Sequence, residues 1–398
     1  MGAMHWVHTV LMATAWGIAA AWVGKFLETA RGLTRVPDLW GAEWDRMPEG
    51  EPRVAVIVPA RNEEAMVGAC LRSLVEQDYP RLRVIAVDDR STDSTGEIME
   101  RLAEESAGLL KVLRIEELPE GWLGKTHAIA CGARRAMDGE GCDFLLFTDA
   151  DIEFERTTVR RALAFARETG ADHFVLLPTT TTKTHGEAML LAYLGVMSLW
   201  AIRPWRVADP RSQRDAIGVG AFNLLRAGAY TAIGGFEAIP MEIVEDLSLG
   251  RRVKRAGLRQ GIATAAGMVC LHWAPGTRGI IEGMGKNVFA VFRFRAAALM
   301  VAAASMVVFC VGPAGFVWMR ATRIPGLLAL AAVAGLYGAW SRVSRIGWAY
   351  AVTFPVAAVV VVYAMLRSMV ITLARRGVVW RGTFYELREL RRQAQTRL

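Results

Sequence analysis

The chain has 398 residues, of which 53% are hydrophobic and 22% charged. That is material for one large or two ordinary domains, and it is more apolar than a wholly soluble enzyme. The formal net charge of +8 comes with arginines that flank apolar runs, which points to juxtamembrane charge facing an anionic leaflet and away from nucleic acid as a partner. The five cysteines, Cys70, Cys131, Cys142, Cys270 and Cys310, form no Cys-x-x-Cys pair and have no histidine at zinc spacing, so they read as reduced, buried thiols.

Residues 6–24, WVHTVLMATAWGIAAAWVG, are 19 uncharged residues, about the length needed to cross a bilayer. No Lys or Arg precedes them, whereas Lys25, Arg31 and Arg35 follow. The stretch 1–30 is therefore expected to be a transmembrane anchor rather than a signal peptide, with residue 1 outside and residue 25 onward in the cytoplasm of a cell bounded by its inner (plasma) membrane. From residue 53 the pattern changes. RVAVIVP, RVIAVDD, LKVLRI, DFLLFTD and DHFVLLP read as short strands. Between them lie helical stretches with apolar residues at Val67, Leu71 and Leu74, and at Val159, Leu163 and Ala166. Alternation of this kind predicts an α/β domain with a mostly parallel sheet covered by helices on both faces, whose ligands sit outside the carboxyl ends of the strands.

That domain is expected over 31–295. It closes on a stretch where Ile281, Met284, Val288 and Phe292 share a helical face turned away from Lys286 and Arg293, which fits an interfacial helix or an ordinary surface helix. Apolar runs at 297–319, 324–340 and 348–371 predict transmembrane helices over 296–372, followed by a basic amphipathic tail, 373–398. Here the reading conflicts with itself. Three crossings from a cytoplasmic domain would leave the tail outside, yet its arginines argue for inside. Either one run is re-entrant or the charge rule fails; the tail is expected on the cytoplasmic face of the membrane.

Residues 143–154 read DFLLFTDADIEF, an apolar run that ends in Asp149 and Asp151. Side chains at i and i+2 of a strand share a face. Two carboxylates so close repel, and a hard divalent cation, Mg2+ or Mn2+, relieves this by taking their oxygens and completing its shell with substrate phosphates. The bland reading is a pair of turn formers after a strand. Other groups fall at neighbouring strand ends: Asp88 and Asp89 in AVDDR, and Arg61, Asn62 and Glu63 in VPARNEE. VEDLSLG places Glu245 and Asp246 before a helical stretch, where Asp246 also reads as an N-cap, and the glycine-punctuated GWLGKTHA offers Lys125 and His127 to an anion. No G-x-G-x-x-G follows the first strand, which argues against a dinucleotide-binding dehydrogenase. WAIRPWRVADPRSQR, at 200–214, interleaves Trp with Arg and reads as an entry lip for an apolar acceptor or as a surface loop.

Taken in this order, VPARNEE, VDDRSTDST, TDAD, GAFNLLRAGAYTAIGGF and VEDLSLGRRVKRAG resemble the family 2 glycosyltransferases of the GT-A fold, over roughly residues 53–295. LPEGWLGKTHA, EIVEDLSLG and EGMGKN resemble the membrane-bound branch that includes carotenoid-acid and hopanoid-associated glycosyltransferases. The resemblance implies that Asp88 and Asp89, with Pro59, Ala60, Arg61 and Glu63 beside them, bind the base and ribose of a nucleotide-diphosphate sugar. It implies Asp149 and Asp151 as ligands of a Mg2+ or Mn2+ shared with the diphosphate, and Lys125 near that diphosphate. It further implies Asp246 as general base with Glu245 preceding it, and Gly220 to Asn223 around the sugar. The Gln-x-x-Arg-Trp of processive polysaccharide synthases has no counterpart; GKNVFAVFRF stands there, and Lys286, with His272 or Arg293, would supply the positive charge. The expectation is therefore an inverting hexosyltransferase that moves one sugar, from a UDP-hexose, to a lipid-soluble acceptor such as a carotenoid or hopanoid. A processive or accessory polysaccharide synthase subunit is the alternative. With a carboxylate acceptor a base is hardly needed, and Asp246 would orient instead.

Overall fold

A computed structural model describes residues 2–139, 141–380 and 383–395. The chain divides into a sheet unit, Val36–Thr181 with Pro204–His272, and an apolar helical unit, Met1–Arg35 with Thr182–Arg203 and Trp273–Leu398.

The chain opens with helix α1 (Gly2–Leu33) of the apolar unit and then enters the sheet unit. There it alternates β1 (Val54–Ala60), α2 (Val67–Val75), β2 (Leu82–Asp89), α3 (Thr95–Glu105), β3 (Leu110–Ile115) and α4 (Gly124–Met137), followed by β4 (Phe144–Phe147), β5 (Ile152–Phe154), α5 (Thr158–Thr169), β6 (His173–Leu177) and β7 (Thr179–Thr180). It leaves as α6 (His185–Ala201) and returns for β8 (Asn223–Arg226), α7 (Ala227–Ala232), α8 (Glu245–Arg255), β9 (Gln260–Thr264) and β10 (Val269–Leu271). Seven strands form one sheet in the order β3-β2-β1-β4-β8-β6-β9. All neighbours pair in parallel except β8, which runs antiparallel to both β4 and β6. β10 joins β5 and β7 in a small second sheet.

The strand sequences explain the burial. Every residue of β1 is buried, as a strand covered on both faces requires. Its side chains alternate between two cores: Val54, Val56 and Val58 pack towards Leu71 and Leu163, while Ala55 and Ile57 pack with Ile129, Leu249 and Val253. Register then sets the working edge. Ala60 is level with Asp88, and Ile57 with Phe147, so the carboxyl ends of β1, β2 and β4 finish side by side. The loop after α6 is pinned from inside: the buried Lys254 of α8 donates to the carbonyls of Val207 (2.5 Å) and Asp209 (2.7 Å).

The apolar unit contains α1, α6, α9 (Gly276–Val291), α10 (Ala296–Met306), α11 (Gly312–Phe316), α12 (Arg323–Ser344) and α13 (Phe354–Arg375), then a hairpin of β11 (Gly377–Trp380) and β12 (Thr383–Glu386), and α14 (Leu387–Gln395). Trp22 sits at its centre, stacked on Phe309 and edge-on to Trp200 and Phe354. Between α10 and α11 the backbone widens into a π-turn, Val307–Val311. Pro313 lacks the N–H that would have claimed the carbonyl of Phe309, and the Trp22 indole takes that carbonyl at 3.0 Å instead. Among the described residues five stretches are long and apolar enough to cross a membrane: His5–Leu33, His185–Arg206, Ala296–Phe316, Arg323–Ser344 and Trp348–Arg375. His185–Arg206 interrupts the stretch 31–295, which the sequence reading gives to one soluble domain. It is apolar on all sides rather than along one face, a pattern shared by core and membrane helices.

Candidate active site

Four loops and two helix starts of the sheet unit meet at the carboxyl edge. The β1–α2 and β2–α3 loops are sewn together: Asn62 Oδ1 accepts from Thr92 N at 2.8 Å, and Glu63 N donates to Thr95 Oγ1 at 2.8 Å. Asn62 and Arg90 hold positive φ, +55° and +58°, a region that costs a side-chain-bearing residue energy and often marks a working loop. Pro59 and Ala60 end β1 directly beneath this junction, with Arg61 following.

Asp88 and Asp89 reach the edge but face different ways. Asp88 turns inwards, where its Oδ1 accepts from Ser91 N at 3.1 Å and its Oδ2 would lie 2.7 Å from any Cβ on Gly96. Asp89 is buried and held by the neighbouring Arg90, with Nε to Oδ1 at 2.8 Å and Nη2 to Oδ2 at 3.1 Å. A Cβ at Gly124, the first residue of α4, would collide with this carboxylate. The absence of a side chain there lets Asp89 lie over the start of the helix. His127 stands one turn on, edge-on to Trp122 and with Nε2 3.5 Å from Cys131 Sγ; burial pushes its pKa below the usual histidine value, and Arg134 and Arg90 add to this against the opposing pull of Asp89.

The same first turn of α4 carries Lys125, whose Nζ joins Asp149 Oδ1 (2.5 Å) to Glu245 Oε1 (2.6 Å). Burial opposes its charge, but Asp149 and Glu245 together more than offset this and raise its pKa. Asp246 is fixed by backbone: Oδ2 accepts from Gly220 N at 2.9 Å, and Oδ1 from Leu247 N at 2.7 Å. Two glycines make the approach possible. A Cβ on Gly218 would overlap the carbonyl of Asp246, and one on Gly220 would stand 2.6 Å from Asp149 Oδ2. Burial, with Glu245 adding to it, pushes the Asp246 carboxyl up to about 7. Burial, then Asp149 and Glu63, pushes Asp151 up to about 6. Lys125, Asp149, Gly220, Asn223, Glu245 and Asp246 share one small hollow floored by Phe147 and Phe236.

Asn223 serves that hollow and a network behind it. His173 Nε2 and Asn223 Oδ1 are 2.9 Å apart, and Gln260 Nε2 lies 2.8 Å from His173 Nδ1. Gln260 also grips both backbone groups of Ile217, donating to its carbonyl and accepting from its N–H. The chain from β6 to the glycine loop is thus fully bonded. Nothing in the sequence reading flagged His173 or Gln260, because their partners lie 50 and 43 residues away. Lys286 and Arg293 belong to the apolar unit, and the side chain of Lys286 lies outside the described residues. His272 is the last residue of the sheet unit.

The donor chemistry fits a hard cation of the expected kind. Glu63, Asp149, Asp151, Glu245 and Asp246 gather near Lys125, and the raised pKa values of Asp151 and Asp246, set first by burial, are pushed further by that excess of negative charge. Among the described residues no group of three or more His, Cys, Asp or Glu is arranged as a metal cage. A pair of carboxylates suits an ion that takes its remaining oxygens from water and a substrate phosphate.

Residues 55–201 match the family model described as Glycosyl transferase family 2. The chain carries a family 2 glycosyltransferase domain. It is 26% identical over 249 residues to the 4,4'-diaponeurosporenoate glycosyltransferase of Staphylococcus haemolyticus, covering 61% of this chain and 64% of that protein. To the protein of the same name from Staphylococcus aureus it is 28% identical over 200 residues, 50% of each chain. The chain thus spans between half and two thirds of the length of these relatives. Among solved structures, a mannosyltransferase from Pyrobaculum calidifontis in complex with GDP-Man and Mn2+ superposes with a TM-score of 0.54 at 21% identity, covering 91% of this chain and 98% of that one. The glycosyltransferase domain therefore has the GT-A fold.

Proposed function

We propose that this protein is a membrane-bound, inverting glycosyltransferase that moves one sugar from a nucleotide-diphosphate sugar, a UDP-hexose, to a lipid-soluble acceptor of the carotenoid or hopanoid kind. The observation that carries the proposal is that Asp246 and Lys125 line the same hollow. A buried carboxylate of raised pKa, aimed by two backbone N–H groups, stands beside a fixed ammonium.

A carboxyl near pKa 7 is a far stronger base than an ordinary aspartate and is still partly ionised at neutral pH. Asp246 takes the proton of an acceptor hydroxyl as the oxygen bonds to the anomeric carbon. The diphosphate departs from the opposite face, so configuration inverts. Lys125, already poised between Asp149 and Glu245, faces the departing negative charge. Asp149 and Asp151 would hold the Mg2+ or Mn2+, which when bound supplies Lewis-acid stabilisation of the leaving diphosphate. The sewn loops with Pro59, Ala60, Arg61, Glu63, Asp88 and Asp89 form the seat for base and ribose. Gly220 to Asn223 close round the sugar.

The lipid class of the relatives' names, together with the apolar helices, supports the acceptor assignment. Mass spectrometry of membrane lipids from cells expressing the protein or its Asp246→Asn variant tests it. A hexose-mass adduct on a lipid, present only with the unmodified protein, is expected. Identical lipid profiles, or soluble oligosaccharide chains as the product, would reject it.

A further inference from the structure

We infer that, of the five long apolar stretches among the described residues, α6 and α13 are embedded in the membrane from one face without crossing it, whereas α1, the α10–α11 stretch and α12 cross. The inference rests on the proposal that the apolar unit lies in a bilayer. For α6 the reason is covalent. The chain leaves the sheet unit after Thr181 and rejoins it at Pro204, and β6, which precedes the helix, pairs with β8 and β9, which follow it. Both ends of α6 are therefore on the same side of a bilayer, although His185–Arg206 is long and apolar enough to span one.

For α13 the reason is its neighbours. The turn before it is tied to the start of α6: the Tyr350 hydroxyl lies 2.6 Å from His185 Nδ1. The start of α9 is tied to the same place, since Gly276 N donates to Glu187 Oε1 of α6 at 2.6 Å. From there α9 and α13 run side by side, with Ser368 Oγ donating to the Gly285 carbonyl at 2.6 Å. They also finish together. The Leu387 N–H donates to Arg376 O at 2.9 Å, and Arg391 Nη2 donates to the carbonyl of Phe294 at 3.0 Å, so the segment after α13 sits on the residues after α9.

The sequence of α9 contains Arg278, Glu282, Lys286 and Asn287. Arg278 and Glu282 pair along its exposed side at 2.8 Å. Charged side chains spread along a helix in this way are expelled from hydrocarbon. A helix that tracks α9 from beginning to end does not cross either. What α13 offers is a stripe of exposed apolar side chains at helical spacing, Val356, Val359, Tyr363 and Val370. The acyl chains of one leaflet cover it, with α9 at the water boundary.

Counting then resolves the conflict met in the sequence. Three crossings carry the chain from an outer first residue to an inner tail. Arg375, Arg376, Arg388 and Arg392 gather on the same side as Lys25 and Arg31, and the α11–α12 turn with Arg320 faces the other.

The test uses the full chain in an expressing bacterium, with green fluorescent protein or alkaline phosphatase fused after Leu398, and with single Arg320→Cys and Trp348→Cys variants treated with a membrane-impermeant maleimide. A fluorescent tail without phosphatase activity is expected. Arg320→Cys should label in intact cells, and Trp348→Cys only after permeabilisation. A phosphatase-active tail on a membrane-integral protein would overturn the inference and leave the membrane reading standing. Release of the chain from membranes by alkaline carbonate would overturn both. The fusions leave residues 1–398 unaltered, so misfolding of a cysteine variant does not decide the result.

Discussion

Substituting Gly218 with alanine probes how Asp246 is positioned. The added Cβ would overlap the carbonyl group of Asp246 and stand 3.0 Å from Leu247 N. These are backbone atoms at the start of α8, so no side-chain rotation relieves the clash. The loop, the helix start or both must yield, by on the order of 1 Å, at a cost of about 1–3 kcal/mol for an overfilled site. Because Gly220 N holds Asp246 Oδ2, displacing the loop also displaces the proposed base. An ångström of misplacement at a reacting group costs about 10²-fold in rate. Steady-state kinetics in lipid nanodiscs should show kcat reduced about a hundredfold, KM for the donor little changed and a lower Tm. Gly228→Ala is the matched control: it lies in α7 with nothing within 4 Å of the new Cβ. There kcat should hold, and Tm should stay level or rise with the better helix former. A Gly218→Ala enzyme with wild-type kcat and a lowered Tm would refute the positioning argument.

The Asp246 carboxyl, held up to about 7, must be ionised to accept a proton, so turnover of a hydroxyl acceptor should fall as pH drops below about 7; a flat profile down to pH 5 would remove it as the base. A carboxyl whose folded pKa exceeds its unfolded value costs stability as pH rises through that window. Asp246→Asn should therefore abolish this turnover while raising Tm at pH 7–8, as thermal melting would record. His173 behaves in the opposite sense: burial lowers its pKa to about 4, so folding stability should decline as pH falls from about 6.5 towards 4, by roughly 3 kcal/mol. His173→Gln should flatten that part of the melting profile, and an unchanged slope would show that another group is responsible. Gly220→Ala, whose Cβ would press on Asp149 Oδ2 and lie 3.6 Å from Lys125 Nζ, should weaken donor binding more than Gly228→Ala; equal affinities by calorimetry would contradict the shared hollow.

How much of this was legible depended on how local the signal was. β1, β2 and β4 announce themselves as unbroken apolar runs, and the carboxylates at their ends mark the edge because nothing else explains charge there. Relations across the chain were silent. The Lys125–Glu245 bridge joins helix starts 120 residues apart in sequence, and no periodicity reports it. The diverging roles of Asp88 and Asp89 depend on Gly96 and Gly124 being too small to exclude them, which shows only once the helices are packed. β8 carries too little signal to stand out in the sequence, since NLLR is short and its antiparallel course is set by the neighbours it fills between. α6 was hidden for a different reason: its apolar residues surround the helix, so sequence alone cannot distinguish a core element from a membrane one.

The central claim is that the acidic rim holds a nucleotide-diphosphate sugar through a shared cation. Calorimetric titration of UDP-hexose into the purified protein, with and without Mn2+, tests it most directly when repeated on Asp151→Ala. Binding that strengthens with the metal in the unmodified protein, and loses that dependence in Asp151→Ala, is the expected result. The same metal-linked affinity in both proteins, or no effect of metal in either, would contradict the account.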